Sequence, residues 1–318
     1  MALIRKLPID LGLNFIGRRA LFLAFTVALT VASVALFLTQ GLNLGVDFRG
    51  GILIEVRTPA PADLGDLRNR LSNLGIGEVT LQQFGDPTDV LINISRPDGD
   101  EQGQMNVIKQ VMDTLGEGVE SRRQEFVGPK IGDELKEAGF LATMLAMLAI
   151  GIYIWFRFEW QFGVAALVAL LHDVVATIGF YSLTQIEFNL ATLAAVLTIA
   201  GYSINDTVVV FDRVREMLRR YKKLPLLDLL NRAINTTMSR TILTSFTTLL
   251  ALFALFFFGG EVIRGFTAGL IWGVAVGTYS SFGLAVPLLS YIGLRRGGEG
   301  DAEEDAESVG ADTAKASS

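Results

Sequence analysis

The chain has 318 residues, 51 % hydrophobic and 19 % charged, against about 25 % charge in soluble domains, and the deficit points toward lipid. Its formal net charge of -6 resides in one stretch, because residues 299–318 hold seven acids and a single base while the rest carries 26 acids and 26 bases. With no cysteine and one histidine, His172, disulfides, thiolate metal sites, haem attachment and cysteine nucleophiles are excluded.

A membrane span needs about 20 mainly apolar residues to cross a ~30 Å hydrocarbon core. The first candidate is 20–39, behind a cytoplasmic N-terminus, 1–19, that holds Arg5, Lys6, Arg18 and Arg19. Its apolar run exceeds the roughly 7–15 residues of a signal-peptide core, so it reads as an uncleaved anchor. Residues 41–137 then form an extracytoplasmic domain: strand 48–58, helix 62–74 closed by Gly75, strand 78–84 and strand 89–95, with Asp86-Pro87 between the middle strands. Helix 101–115 ends at Gly116 and strand 119–127 follows. The order βαββαβ predicts a ferredoxin-like α+β unit.

Five further spans follow, at 138–156, 162–183, 189–211, 239–259 and 264–292, which makes the chain a six-span α-helical membrane bundle with one external domain. Basic residues cluster before span one, at Arg213, Arg215, Arg219, Arg220, Lys222, Lys223 and Arg232 between spans four and five, and at Arg295 and Arg296 after span six. The loops 184–188 and 260–263 hold no Lys or Arg. The positive-inside rule therefore puts both termini in the cytoplasm. The tail 293–318, mostly Gly, Ala, Ser and acid, is expected to be disordered.

Ionisable groups at membrane depth cost at least about 2.5–3.5 kcal/mol near the centre, so each is a functional candidate. Span three carries His172 and Asp173, span four carries Tyr202, Asn205 and Asp206, and span five opens with Arg240. Helical phase places Thr237, Arg240, Thr241, Thr244 and Thr248 on one stripe, Thr198, Tyr202 and Asp206 on another, and Asp173, Thr177, Tyr181 and Thr184 on a third. Together they predict a shared polar seam. Arg240 could instead snorkel to the headgroups, and His172 with Asp173 could be a structural pair. Asp206 is harder to dismiss, since a short carboxylate away from the interface needs a cation, water or its own proton. Gly265, Gly269, Gly273 and Gly277 form a small-residue ridge along span six, a helix-packing surface for a span of this chain or of a partner.

Several strings read together resemble the SecD/SecF family of protein-export membrane proteins, on the SecF side. They are Val46-Asp47-Phe48-Arg49-Gly50-Gly51, Val127-Gly128-Pro129-Lys130-Ile131-Gly132, Gly201-Tyr202-Ser203-Ile204-Asn205-Asp206-Thr207 and Ser239-Arg240-Thr241. The resemblance covers residues 15–295 and implies an RND-like half-bundle that pairs with SecD. It further implies work beside the SecYEG channel and the SecA ATPase, in the bacterial inner membrane, on emerging precursor polypeptides. The energy source would be the proton gradient, or in some bacteria the sodium gradient. In that family the residues matching Asp206 and Arg240 belong to the ion-coupling path. No cofactor other than the coupling ion is implied.

Two rival readings are an RND-type exporter of small molecules or lipids, and a structural subunit that conducts nothing. An enzyme is not expected, as no nucleophile–base pair, phosphate loop or metal constellation is visible. The basic run 213–223 is what orientation requires, so nucleic-acid binding is not expected either.

Overall fold

The computed structural model describes residues 12–83, 85–95, 101–116 and 118–294. Arg5, Lys6, Arg295, Arg296 and the acidic tail lie outside them. Among the described residues six helices are long and apolar enough to cross a membrane. In chain order the elements are α1 (Arg19–Gln40), a short α2 (Val46–Arg49), β1 (Gly51–Arg57), α3 (Leu64–Ser72), β2 (Glu78–Gln83), β3 (Asp89–Ser95), α4 (Glu101–Leu115) and β4 (Glu120–Val127). The remaining spans are α5 (Pro129–Arg157), α6 (Trp160–Thr184), α7 (Leu190–Arg220) and α8 (Leu226–Phe258). The last is built from α9 (Arg264–Ser280), a π-helical turn (Ser281–Ala285) and α10 (Val286–Ile292).

The external domain is the expected βαββαβ unit, with antiparallel strands in the order β2-β3-β1-β4. Alternation along the central strands decides its two faces. Ile52, Ile54 and Val56 of β1 and Val90, Ile92 and Ile94 of β3 pack against Leu67 and Leu71 of α3 and Val111 and Leu115 of α4. The opposite face turns Leu53 and Leu91 toward Val46 at the membrane end. Asp63 starts α3 by accepting hydrogen bonds from the Gly65 and Asp66 N–H groups, the usual N-cap chemistry. Arg57 grips buried Asp89 through two bonds of 2.7 and 2.8 Å, and Arg122 adds a third at 3.3 Å.

Four sequence boundaries move. Phe48 belongs to a helical turn, and the first strand begins at Gly51. The reason is Gly50 and Gly51, whose φ values of 71° and 143° reverse the chain in a region that disfavours L side chains. Gly132 of α5 packs against this turn so closely that a Cβ there would meet the backbone of Phe48 and Gly50. The helix of the second span begins at Pro129 rather than near 138, since proline suits the first helical turn. In the same way α7 continues to Arg220 and α8 starts at Leu226, so two span helices project beyond their apolar cores.

Within the bundle, α6 and α9 are enclosed, while α1, α5 and α8 present large apolar side chains outward, among them Phe25, Leu38, Phe156, Phe246 and Phe258. The glycine ridge of α9 faces this chain's own helices. Gly269 lies under Tyr181 of α6, Gly273 under Ile199 and Gly277 under Ser203 of α7, so the surface it serves is intramolecular.

Candidate functional site

Two polar centres occupy the bundle, one on each side of α7. The first is Asp206, whose carboxyl is buried and whose Oδ2 has no hydrogen-bond partner among the described residues. Ser245 of α8 reaches this carboxyl, and Arg240, five residues earlier on α8, is close enough for its charge to act on it. Direct ion pairs at the bundle's basic end join Arg157 to Asp212 at 3.0 Å and Arg213 to Glu216. Asp206 and Arg240 form no such pair among the described residues. Arg240 is exposed on the outer face of α8, while Tyr202 Oη and Thr207 Oγ1, beside Asp206, are buried without partners among the described residues. Ser245 continues inward by sharing a 2.6 Å hydrogen bond with Thr278 of α9.

The second centre is built on α6. Asp173 is fully buried and its Oδ1 lies 2.9 Å from Nδ1 of His172. Its Oδ2 accepts from Ser203 of α7 and, at 2.7 Å, from Ser280 of α9. Ser203 stands one helical turn before Asp206, so α7 carries a contact of each centre.

The threonine stripe of α8 differs from the polar seam that helical phase predicts. Thr237 and Thr244 donate to carbonyls three and four residues back in their own helix, as do Thr236 and Thr247. Such back-bonding satisfies a hydroxyl without any neighbour. Thr184 of α6 and Thr198 of α7 do the same. Asn205 is exposed on the outer side of α7, beside Gly201 and Thr198. The seam therefore reduces to two compact clusters. Sequence reasoning passed over Ser203, Ser280 and Ser245, because a serine in an apolar helix carries no periodic signal; proximity to Asp206 by one turn was the available clue for Ser203.

At the end of the bundle that carries the sheet, the domain is tied to the spans. The loop between α6 and α7 pairs with the segment after α1 through Phe188 N–H to Asn43 O at 2.7 Å and Gly45 N–H to Phe188 O at 2.9 Å. Phe48 stacks on Phe188, which meets Tyr181 edge-on. Asp47 Oδ2 accepts from Leu190 N–H at 2.9 Å, so an acid of the external segment caps the first turn of α7. A cavity of about 600 Å³ lies beside it, between the open face of the sheet and the bundle, and Asp47, Arg123, Glu125, Glu187 and Arg264 reach into it. Burial and the neighbouring carboxylate of Asp47 raise Glu187 above the usual carboxylate range. At the opposite end Asn231 and Asn235, one turn apart on α8, clamp the segment before α1 by bonding Leu13, Phe15 and Ile16.

Two family models match the chain: the SecD/SecF GG motif over residues 35–58, and the C-terminal region of the protein export membrane protein SecD/SecF over residues 107–295. The protein translocase subunit SecF of Rickettsia akari is 44 % identical over 297 residues, which cover 92 % of this chain and 96 % of that one. The SecF subunit of Magnetococcus marinus is 47 % identical over 281 residues, 87 % of this chain and 90 % of its own. The crystal structure of SecDF from Thermus thermophilus, described as a translocon-associated membrane protein, superposes with a TM-score of 0.81 at 36 % identity. That match covers 90 % of this chain and 39 % of the SecDF chain. SecDF in a super-membrane-facing form gives 0.64 at 34 % identity, over 93 % of this chain and 40 % of its own. The glycine pair that opens β1 falls in the first matched region, and five of the six spans, the helices carrying Asp206 and Arg240 among them, fall in the second; the chain is a multi-pass membrane protein of the SecD/SecF protein-export family.

Proposed function

We propose that this chain is an accessory subunit of Sec protein export that converts an ion gradient across the bacterial inner membrane into movement of its external domain, with SecD as its partner. The observation that carries the reading is the buried carboxyl of Asp206, lacking a partner at Oδ2 among the described residues and set within the field of Arg240 on the next helix. A group so placed changes the packing of α7 and α8 when it gains or loses a proton, because burying a bare charge is costly unless a counter-charge approaches. Each charge that crosses the membrane releases about 2.3 kcal/mol per 100 mV. Reversing a two-state equilibrium from 1:99 to 99:1 takes about 5.5 kcal/mol, so a few ions per stroke suffice.

The partner reading draws on the SecDF match, in which this chain corresponds to 39 % of the longer polypeptide, and on the outward stripe Thr198, Gly201 and Asn205 of α7, small enough for another helix to approach. In the same reading the basic cluster between α7 and α8 faces the cytoplasm with both termini, and the SecYEG channel, SecA and precursor chains are the surroundings in which late translocation steps are driven. The gradient is that of protons or, in its place, of sodium. Export into vesicles energised by each ion in turn separates the two. Asp206→Asn is expected to abolish gradient-stimulated precursor export while the complex with SecD still co-purifies. Unchanged export in that variant removes the mechanism, and drug hypersensitivity with normal secretion would favour an exporter instead.

A further inference from the structure

His172 is buried at mid-span, yet among the described residues its one hydrogen bond is to its own neighbour Asp173. It therefore fastens no second helix. The joining of α6 to α7 and α9 is done by Ser203 and Ser280 on Asp173, and an apolar ring at position 172 would leave those bonds intact. The other ring nitrogen, Nε2, is buried without a partner among the described residues. A polar ring with an idle nitrogen is costly in such surroundings. Beside it the structure sets a carboxylate that also accepts from two serine hydroxyls, the arrangement that holds an imidazole in its Nδ1–H form and supports an imidazolium when one forms.

We propose that His172 and Asp173, closed in by Ser203 and Ser280, are a second proton-holding site, distinct from Asp206, in which Nε2 of His172 takes up and releases one proton. On uptake the Nε2 lone pair forms the new N–H bond, the Nδ1–H to Oδ1 hydrogen bond is kept, and the pair passes from one net negative charge to neutrality. Release reverses each change. The site rests on the Asp206 reading for what the proton is used for, and not for whether the proton is taken up. Ser203 lies one turn from Asp206 on α7, and Thr278, bonded to Ser245 at the Asp206 centre, lies two residues before Ser280 on α9. Both centres thus bear on the same two helices, and a charge change in one alters the other.

Few other charges face the pair. On α7 the nearest is Asp206, on the side of that helix toward α8; α1 has none after Arg19, α5 none between Glu137 and Arg157, α9 none after Arg264, and α10 carries only Tyr291. Tyr153, Tyr202 and Tyr279 supply the titratable phenols of α5, α7 and α9.

The chain has one histidine, so histidine labelled with nitrogen-15 reports this site alone. The full chain, labelled in this way and reconstituted in lipid bilayers, is followed by solid-state NMR from alkaline to acid pH. The expected result is that Nε2 changes from a bare to a protonated nitrogen while Nδ1 stays protonated, and that Asp173→Asn displaces this transition, because the ring then loses its carboxylate partner. Nitrogen signals that stay unchanged across the range, or a transition that Asp173→Asn leaves in place, overturn the site. If Asp173→Asn does not fold, the wild-type titration decides by itself. No transport is measured, so a null result here leaves the Asp206 mechanism standing, and loss of that mechanism leaves this titration readable.

Discussion

At the scale of single residues the chain uses carboxylates in different ways. Asp89 is held below the ordinary carboxylate range, first by its hydrogen bonds from Arg57, with the charges of Arg57 and Arg122 acting in the same sense against burial. A depressed folded value means that the bare carboxylate binds the folded state more strongly than the unfolded one. The stability it contributes is thus present above the unfolded value of about 3.9 and is lost as pH falls through the folded value. Asp89→Asn should flatten this acid limb and cost about 1–2 kcal/mol near neutrality, read as faster amide exchange in β1, β3 and β4. Asp206 is placed differently, its carboxyl buried in the bundle with Oδ2 unpartnered among the described residues. Its candidacy was legible because a mid-helix acid in an apolar run is rare; that Arg240 stands outside while Ser245 approaches was not, since exposure depends on which helices cover which face.

At the scale of elements, shape dominates over charge. The ridge on α9 exists so that Tyr181 and Ile199 can lie against its backbone, and Tyr181 donates to Gly265 O at 3.1 Å. Gly269→Val would drive a branched side chain into the Tyr181 ring. Overpacking of this kind costs typically about 1–3 kcal/mol, so a lower melting temperature of the detergent-solubilised chain is expected. Gly201→Ala, which meets no atom within 4 Å, should leave the isolated chain as stable or slightly more so, by the smaller backbone entropy lost on folding. Equal behaviour of the two variants would refute this account of the ridge. The π-helical turn follows the ridge and precedes Pro287, which has no N–H to donate and whose ring crowds the carbonyl one turn back. Sequence revealed the glycine spacing, but a ridge looks the same whether it packs inside or outside the chain.

At the scale of the whole molecule, α7 connects the two halves. It bears Asp206 within the bundle and is capped at its outer end by Asp47 of the external segment. Asp47→Ala removes an acceptor and a favourable charge from a helix N-terminus, each worth about 1 kcal/mol. The expected outcome is reduced gradient-stimulated export with the spans still folded, measured beside amide exchange at Leu190. The same junction has a pH signature. Burial, then Asp47, raises Glu187, so the folded state holds this proton more tightly than the unfolded chain. Its contribution is complete below the ordinary glutamate value of about 4.3 and is lost as pH rises through the folded one. Protection of the α6–α7 loop should therefore decline with rising pH, and Glu187→Gln should remove that dependence.

The amino-acid order by itself determined six spans, their basic side, the βαββαβ unit and the few ionisable residues at membrane depth, because apolar length, strand alternation and charge cost are local properties. Tertiary structure decided the rest. It divided one anticipated seam into two centres, since the hydroxyls of Thr184, Thr198, Thr237 and Thr244 are satisfied within their own helices while Ser203, Ser245 and Ser280 reach across to other helices. It also turned the glycine ridge inward and set Asp47 on α7. Which side chain meets which across 30 to 140 residues of chain is fixed by helix packing, and no local pattern encodes it.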